Sequence, residues 1–213
     1  MGALLIDFAK AFSVVSHDLL IKKMNLYGLA TCTLTLIKSF LSDCHQVVYV
    51  KSKESEVKSV VFGVPQGSVL GPLLFPIYIN DLPLHISFGR CDMLADNRTI
   101  HTSGMDVPSV VATHQLCVSD IVEWTHLNHM SINPTKTNYM ILTTHQKCQI
   151  LNSPPAHILI GKQQRHEVSE HKLLGVTIDN NLTWGPQICN LSKSAAKRVY
   201  QSAKIKNFLT FHA

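Results

Sequence analysis

One stretch concentrates groups able to hold a ligand: Gly63-Val64-Pro65-Gln66-Gly67-Ser68, followed by Val69-Leu70-Gly71-Pro72. A β-branched run, Val57 to Val64, enters a turn rich in Gly, Pro and Ser, and an apolar segment leaves it, so strand, tight loop and helix are expected in that order. Such a loop can turn backbone N–H groups and the Gln66 amide toward a ligand. Gly67 and Gly71 lack a Cβ, so the backbone there can take positive φ or come close to a flat or anionic group. Asp7 is a second candidate, because Leu4-Leu5-Ile6 reads as a short buried strand whose end delivers a carboxylate to a cleft. Asp96-Asn97 is a third, a good tight-turn pair. Each has a plainly structural reading beside the chemical one: a strand-to-helix connection, a strand-end Asp and a β-turn.

The chain that must position these groups has 213 residues and is 46% hydrophobic, enough for one sizeable domain with a core. Nineteen Lys and Arg against fourteen Asp and Glu give a net charge of +5, compatible with a polyanionic partner. The six cysteines, Cys32, Cys44, Cys91, Cys117, Cys148 and Cys189, form no C-x-x-C pair and no zinc-type spacing, so they read as scattered buried thiols with no disulfides. An intracellular location, cytoplasm or nucleus, follows as the default. The apolar start, Met1 to Ile6, stops at Asp7, too short for a signal-peptide core or a bilayer span, so no membrane partner is expected. The nearest approach to a linker is Gln146 to Pro155.

Periodicity supplies the elements. Ser16 can cap a helix carrying Leu19, Leu20, Met24 and Leu26 that stops at Gly28, and Thr31 to Leu41 reads as a second helix. Gln46–Val50 and Val57–Val64 read as hairpin strands around the polar turn Lys51–Glu56. Leu73 to Ile86 has helical spacing, but Pro76 inside it removes a hydrogen bond at a cost of roughly 3 kcal/mol, so a kink or a weakened fold is expected there. Asp106 to Asn128 reads as a long helix with Val111, Val118, Ile121, Val122 and Trp124 inward. His157–Gly161 and Glu167–Ile178 read as strands, and Asn181-Leu182-Thr183-Trp184 leads into a basic helix with Lys193, Lys197, Arg198, Lys204 and Lys206.

The run Gly63-Val64-Pro65-Gln66-Gly67-Ser68 through Ile77-Tyr78-Ile79-Asn80-Asp81-Leu82-Pro83 resembles the GVPQGS-x-LGPLLF-x-IYINDLP signature of reverse transcriptases from non-LTR, LINE-type retrotransposons. Four further stretches are similar to that family in its own order. Asp7-Phe8-Ala9-Lys10-Ala11-Phe12-Ser13 resembles its first catalytic motif. Leu94-Ala95-Asp96-Asn97 stands where it has [YF]-A-D-D. Trp124 to Thr137 resembles the next palm motif, and His171 to Asp179 the hairpin called the primer grip. The resemblance implies two-metal nucleotidyl transfer with Mg²⁺, or Mn²⁺ as an alternative, held by Asp7 and Asp96, one ion activating a primer 3′-OH and one neutralising the leaving pyrophosphate. It implies Lys136 as a general acid, Phe12 as the steric gate against a ribose 2′-OH, and Gln66 and Gly67 as contacts to the incoming nucleotide. Lys172, Lys193, Lys197 and Arg198 would contact nucleic-acid phosphates. The implied partners are an RNA template, a DNA primer and deoxynucleoside triphosphates.

Departures from the family pattern bear on activity. Asn97 replaces the second hairpin carboxylate by a neutral amide, a weaker ligand for a hard cation, Leu94 replaces an aromatic, and Ser13 stands where Asp is usual. The expected fold is α+β, with residues 1–180 a partial polymerase palm, an antiparallel sheet packed on helices. Residues 181–213 would begin a helical thumb, and the fingers would be missing. The expected function is a reverse transcriptase domain fragment with little or no activity as it stands. The alternatives are a catalytically dead nucleic-acid-binding remnant and a decayed element fragment without a selected role.

Overall fold

The computed structural model describes residues 1–94, 97–143, 157–161 and 163–205. Its centre is a four-stranded antiparallel sheet in the order β6-β7-β1-β8, formed by β1 (Gly2–Ile6), β6 (Arg90–Leu94), β7 (Asn97–Thr102) and β8 (Asn138–Ile141). All five residues of β1 are buried, so the short apolar run is a central strand covered on both faces. Leu4 pairs with Ile100 on one side and Tyr139 on the other. By strand alternation Gly2, Leu4 and Ile6 share one face, and Leu4 and Ile6 belong to the main core.

That face is covered by α5 (Val107–Leu127), which starts at an Asp106 cap whose carboxylate accepts from the Ser109 N–H. The helix lies so close that a Cβ on Gly2 would clash with the His114 ring and sit 2.6 Å from Val110 Cγ1. The inward face of α5 differs from expectation. Val118, Ile121 and Trp124 are buried as read, but Val111 and Val122 are only part-buried, and Val110, His114 and Cys117 take the inner positions. His114 is the polar member of that part of the stripe, which an apolar periodicity alone cannot detect.

Ahead of the loop lie α1 (His17–Leu26) and α2 (Thr31–Leu41). Ser16 caps α1 through the Leu19 N–H, while Leu26, expected inward, is exposed. The expected hairpin is present but shorter: β2 (His45–Gln46) pairs with β5 (Lys58–Ser59), and β3 (Tyr49–Val50) with β4 (Lys53–Glu54). The turn is therefore at residues 51–52, and Val57 and Val61 face solvent instead of extending a buried strand. The segment after the loop divides into α3 (Gly71–Ile79) and α4 (Leu82–His85). Pro76 does not interrupt α3, because it lies on the exposed side and the carbonyl it leaves without a donor, that of Pro72, belongs to the exposed first turn.

Two ribbons follow, β9 (His157–Ile160) with β10 (Gln163–His166) and β11 (Glu170–Leu173) with β12 (Val176–Asp179). The Asp179 carboxylate accepts from the Thr183 N–H and O–H and the Trp184 N–H, organising the turn into α6 (Gly185–Ile205). No residue of α6 is buried. Among the described cysteines only Cys117 is buried, Cys44 and Cys91 are part-buried, and Cys32 and Cys189 are exposed. These five are free thiols, and Cys148 lies outside the described residues, as does the whole segment read as a linker. Among the described residues no helix is long and apolar enough to cross a membrane.

The helical layer is tied by a part-buried polar cluster. Lys23 Nζ is 2.7 Å from both Asp81 Oδ1 and the Tyr78 carbonyl, and Trp124 Nε1 donates to the same Asp81 oxygen at 3.2 Å. Tyr78 Oη donates to the Asn128 carbonyl, and Asn128 Nδ2 to the Trp124 carbonyl. Burial pulls the Lys23 ammonium below the usual lysine range, against the hydrogen bond and charge of Asp81. Asp81→Ala should cost about 2–3 kcal/mol in urea unfolding, because it strands a buried ammonium and an indole N–H. Lys23→Met should cost less than half of that, since Asp81 keeps Trp124 and some water.

His114 gives a pH dependence. It is fully buried, 3.1 Å from Thr102 Oγ1 and edge-on to Tyr139, and burial pulls its pKa from 6.5 to about 4. Between those values the unfolded chain binds the extra proton. The contribution of neutral His114 should be complete above about pH 6.5, decline as pH falls, and be gone below about pH 4, a span on the order of 3 kcal/mol. Stability measured from pH 7 to 4 should flatten in His114→Gln.

Candidate active site

At the end of β1 the chain leaves the sheet and Asp7 emerges one-third exposed. Its backbone is fixed by a bond from the Asn133 N–H to its carbonyl, 2.8 Å, and by its own N–H donating to Thr137 Oγ1, 3.3 Å. These contacts carry the segment 130–137 against the strand end and bring Lys136 Nζ to 3.9 Å from Asp7 Oδ2. Phe8, the next residue, stacks on Trp124 with ring centroids 5.8 Å apart.

Backbone pairing then brings the Gln66 loop to the same place. Gly63 N–H donates to the Val15 carbonyl (2.7 Å) and Val64 N–H to the Phe12 carbonyl (2.9 Å), while His17 Nε2 lies 2.7 Å from the Gly63 carbonyl. Ser68 closes the loop, donating to the Pro65 carbonyl and accepting from the Gly71 N–H. Gly63 has φ +89°, and a Cβ there would stand 2.9 Å from the Ser13 carbonyl oxygen. Gly67, at φ +83°, has nothing within 4 Å of its would-be Cβ and faces open space.

Two adjoining clefts result. One of about 240 Å³ is bordered by Asp7, Lys10, Phe12, Gln66, Arg98 and Lys136. The other, about 410 Å³, is bordered by Asp7, Asn97, Arg98, Lys136, His171 and Lys172 among others. Asp7 and Phe12 of one segment are thus brought together with the distant Gln66, Asn97, Lys136 and Lys172. Gly67 borders neither cleft, and Lys193, Lys197 and Arg198 ride on α6 away from both linings. On α6, Lys193, Lys197 and Lys204 fall on one face by helical spacing, while Arg198 is rotated from them by one residue step. Asp96 and Lys206 lie outside the described residues. The hairpin register pairs Leu94 with Asn97, so Asn97 is the first strand residue and not half of the turn pair, a correction to the Asp96-Asn97 turn.

Two residues at these clefts had no role in the sequence reading. Arg98 is 1% exposed, with its guanidinium carbon 4.5 Å from the Phe8 ring centroid and 5.1 Å from that of Phe75. Phe75 in turn meets Phe12 at 4.4 Å. An arginine beside a hairpin turn reads as solvated, and only the aromatic faces converging from β1 and α3 place it underneath the cleft. Lys10 holds a left-handed backbone, φ 50°, at the start of the Ala11–Ser13 turn. Burial also lowers the pKa of His171, favouring its neutral form.

The oxygen donors suit a hard cation. A half-open carboxylate at Asp7 and the Asn97 amide match Mg²⁺, which keeps several waters and takes one or two carboxylates together with substrate phosphates. Among the described residues no group of three His, Cys, Asp or Glu side chains converges.

A cleft joining a strand-end Asp, a hairpin, a Gln-Gly loop and a Lys after an Asn turn is the arrangement that the sequence motifs anticipate for nucleotidyl transfer. Residues 2–178 match the family model described as reverse transcriptase (RNA-dependent DNA polymerase), and the chain belongs to that family. It is 31% identical over 213 residues to the probable RNA-directed DNA polymerase from transposon BS of Drosophila melanogaster, covering 94% of this chain and 22% of that protein. It is 28% identical to the RNA-directed DNA polymerase from mobile element jockey of the same fly, with 93% and 22% covered. A retrovirus-related Pol polyprotein from the type-1 retrotransposable element R2 of Popillia japonica is 23% identical, with 88% and 32% covered. The chain spans 22% of the length of the first two relatives. It is therefore a reverse transcriptase domain sequence of retrotransposon, LINE-type origin, with mixed helices and antiparallel sheets.

The loop contacts separate two glycines experimentally. Gly63→Ala should destabilise by about 3 kcal/mol or more, because positive φ and a backbone clash add. Gly67→Ala should cost about 1 kcal/mol, from φ alone. Urea midpoints of the two variants check this.

Proposed function

We propose that the chain forms the central part of an RNA-directed DNA polymerase, with residues 1–180 as palm and 181–213 as the beginning of a thumb. The observation carrying this reading is the convergence of Asp7, Phe12, Gln66 and Lys136 on one cleft from three separate segments. Asp7 and Asp96 would hold Mg²⁺, or Mn²⁺ in its place, with Asn97 a degraded third ligand. The metal, when bound, lowers the pKa of the attacking hydroxyl and neutralises the departing pyrophosphate.

The protein groups divide the remaining work. Phe12, braced by Phe75, meets the sugar of a deoxynucleoside triphosphate and crowds a 2′-OH. Gln66 steadies the base side of the nucleotide, and Gly67 lets backbone approach it. Lys136 donates a proton to the pyrophosphate as it leaves. Lys172 and the α6 side chains Lys193, Lys197 and Arg198 hold template and primer by their phosphates, whatever the sequence.

Asn97 offers one unit less negative charge than Asp, so metal occupancy and extension are expected to be weak. The test is a chimera in which this chain replaces the matching segment of the jockey polymerase. It should extend a DNA primer on RNA slowly, with Mn²⁺ better than Mg²⁺. Asn97→Asp should raise the Mg²⁺ rate by more than about tenfold, or roughly 1.4 kcal/mol of transition-state stabilisation. Asp7→Asn should abolish extension, and extension that survives it would overturn the assignment.

A further inference from the structure

The central sheet has an open edge. Its order is β6-β7-β1-β8, and among the described residues no strand pairs with the far side of β6. The hairpin register pairs Leu94 with Asn97 and Asp92 with Thr99. A two-residue connection closes on a hydrogen-bonded pair, so Arg90, Asp92 and Leu94 turn their main-chain groups toward β7, while Cys91 and Met93 turn theirs outward. A row of outward N–H and C=O groups is a template for another strand. We infer that β6 pairs antiparallel with β6 of a second copy of this chain, about a two-fold axis at Cys91, joining the two sheets into one.

Charge selects both the occupant and the register. Arg90 and Asp92 are exposed, lie on the face opposite Cys91 and Met93 by strand alternation, and already contact each other, Nε to Oδ1, at 3.0 Å. With the axis at Cys91, Arg90 stands opposite the partner's Asp92 and Asp92 opposite the partner's Arg90, so the charges alternate in sign across the seam. Moving the axis to Asp92 would set two carboxylates directly opposite each other. Registers between these two would pair residues of opposite faces. A strand with a cation and an anion two residues apart is its own complement, as a two-fold interface requires.

The flank of the edge supplies apolar surface. The Ser87 N–H donates to the Asp120 carboxylate and the Cys117 thiol to the Phe88 carbonyl, which seats the segment leading into β6 against α5. Leu84 of α4, Phe88 and Leu116 of α5 are exposed, Leu84 by 87%. Leu116 shares the Asp120 face of α5 by helical spacing. A two-fold axis normal to the sheet keeps both helical layers on one side, so these side chains flank the seam from both copies. The association uses none of the groups at the clefts, and stands apart from the polymerase reading.

Sedimentation equilibrium of the full chain is the experiment, in reducing agent so that the exposed Cys32 and Cys189 form no cross-link. It should show a monomer–dimer equilibrium with Kd on the order of 10 μM. Arg90→Asp and Asp92→Arg should each weaken it roughly tenfold or more, with circular dichroism unchanged. Mixed in equal amounts, these two variants should associate again, because the acidic edge of one meets the basic edge of the other. The double variant, which restores a cation and an anion in swapped order, should dimerise like the parent, and Lys53→Glu on the exposed hairpin should change nothing. A chain monomeric up to about 0.5 mM would overturn the inference. So would a dimer indifferent to both charge substitutions, which would place the contact elsewhere, or a mixture and a double variant that both stay monomeric.

Discussion

The Asp81 carboxylate is the tie on which the helical half of the molecule depends. It accepts from Lys23 of α1 and from the Trp124 indole of α5, while its own segment follows directly on α3. The neighbouring Tyr78 hydroxyl closes the ring through the Asn128 carbonyl at the end of α5. A charge held here with partners favours one mutual placement of three helices, which apolar packing alone would leave loosely specified. The face of Trp124 then supports Phe8, and Phe8 adjoins Asp7. A residue that reads as part of a loop signature thus helps to set the position of the carboxylate in the cleft.

A second chain of contacts links the sheet to the loop. Arg98 of β7 sits beneath Phe8 and Phe75, Phe75 of α3 meets Phe12, and the Phe12 carbonyl receives the Val64 N–H that opens the Gln66 loop. Aromatic faces carry partial negative charge, so a guanidinium between two of them is stabilised where water is excluded. The same stack braces the aromatic ring and the loop that border the small cleft.

The departure from the family pattern at Asn97 is electrostatic. Asn97 withdraws a negative charge from the larger cleft, and Arg98 beside it contributes a positive one. Lys10 and Lys136 add two more at the smaller cleft. These charges leave the backbone elements unchanged, because strand pairing depends on main-chain bonds and burial while the character of the clefts depends on side-chain charge.

Much of the fold was legible in the sequence where a local signal coincided with burial. Leu4-Leu5-Ile6 announced a short buried strand, Ser16 a helix start, Thr31–Leu41 a helix with those ends, and Asp106 and Asn128 the limits of α5. The motif resemblance also picked out Asp7, Phe12, Gln66, Asn97, Lys136 and Lys172, which border the clefts. What the sequence could not carry was long-range pairing. The burial of Arg98, the inward turn of His114, the exposure of Val57 and Val61, and the tolerance of Pro76 each depend on which element arrives on the other side. Local periodicity fixes which face of an element is apolar, whereas the partner that covers it is decided only when residues many positions apart close into one core.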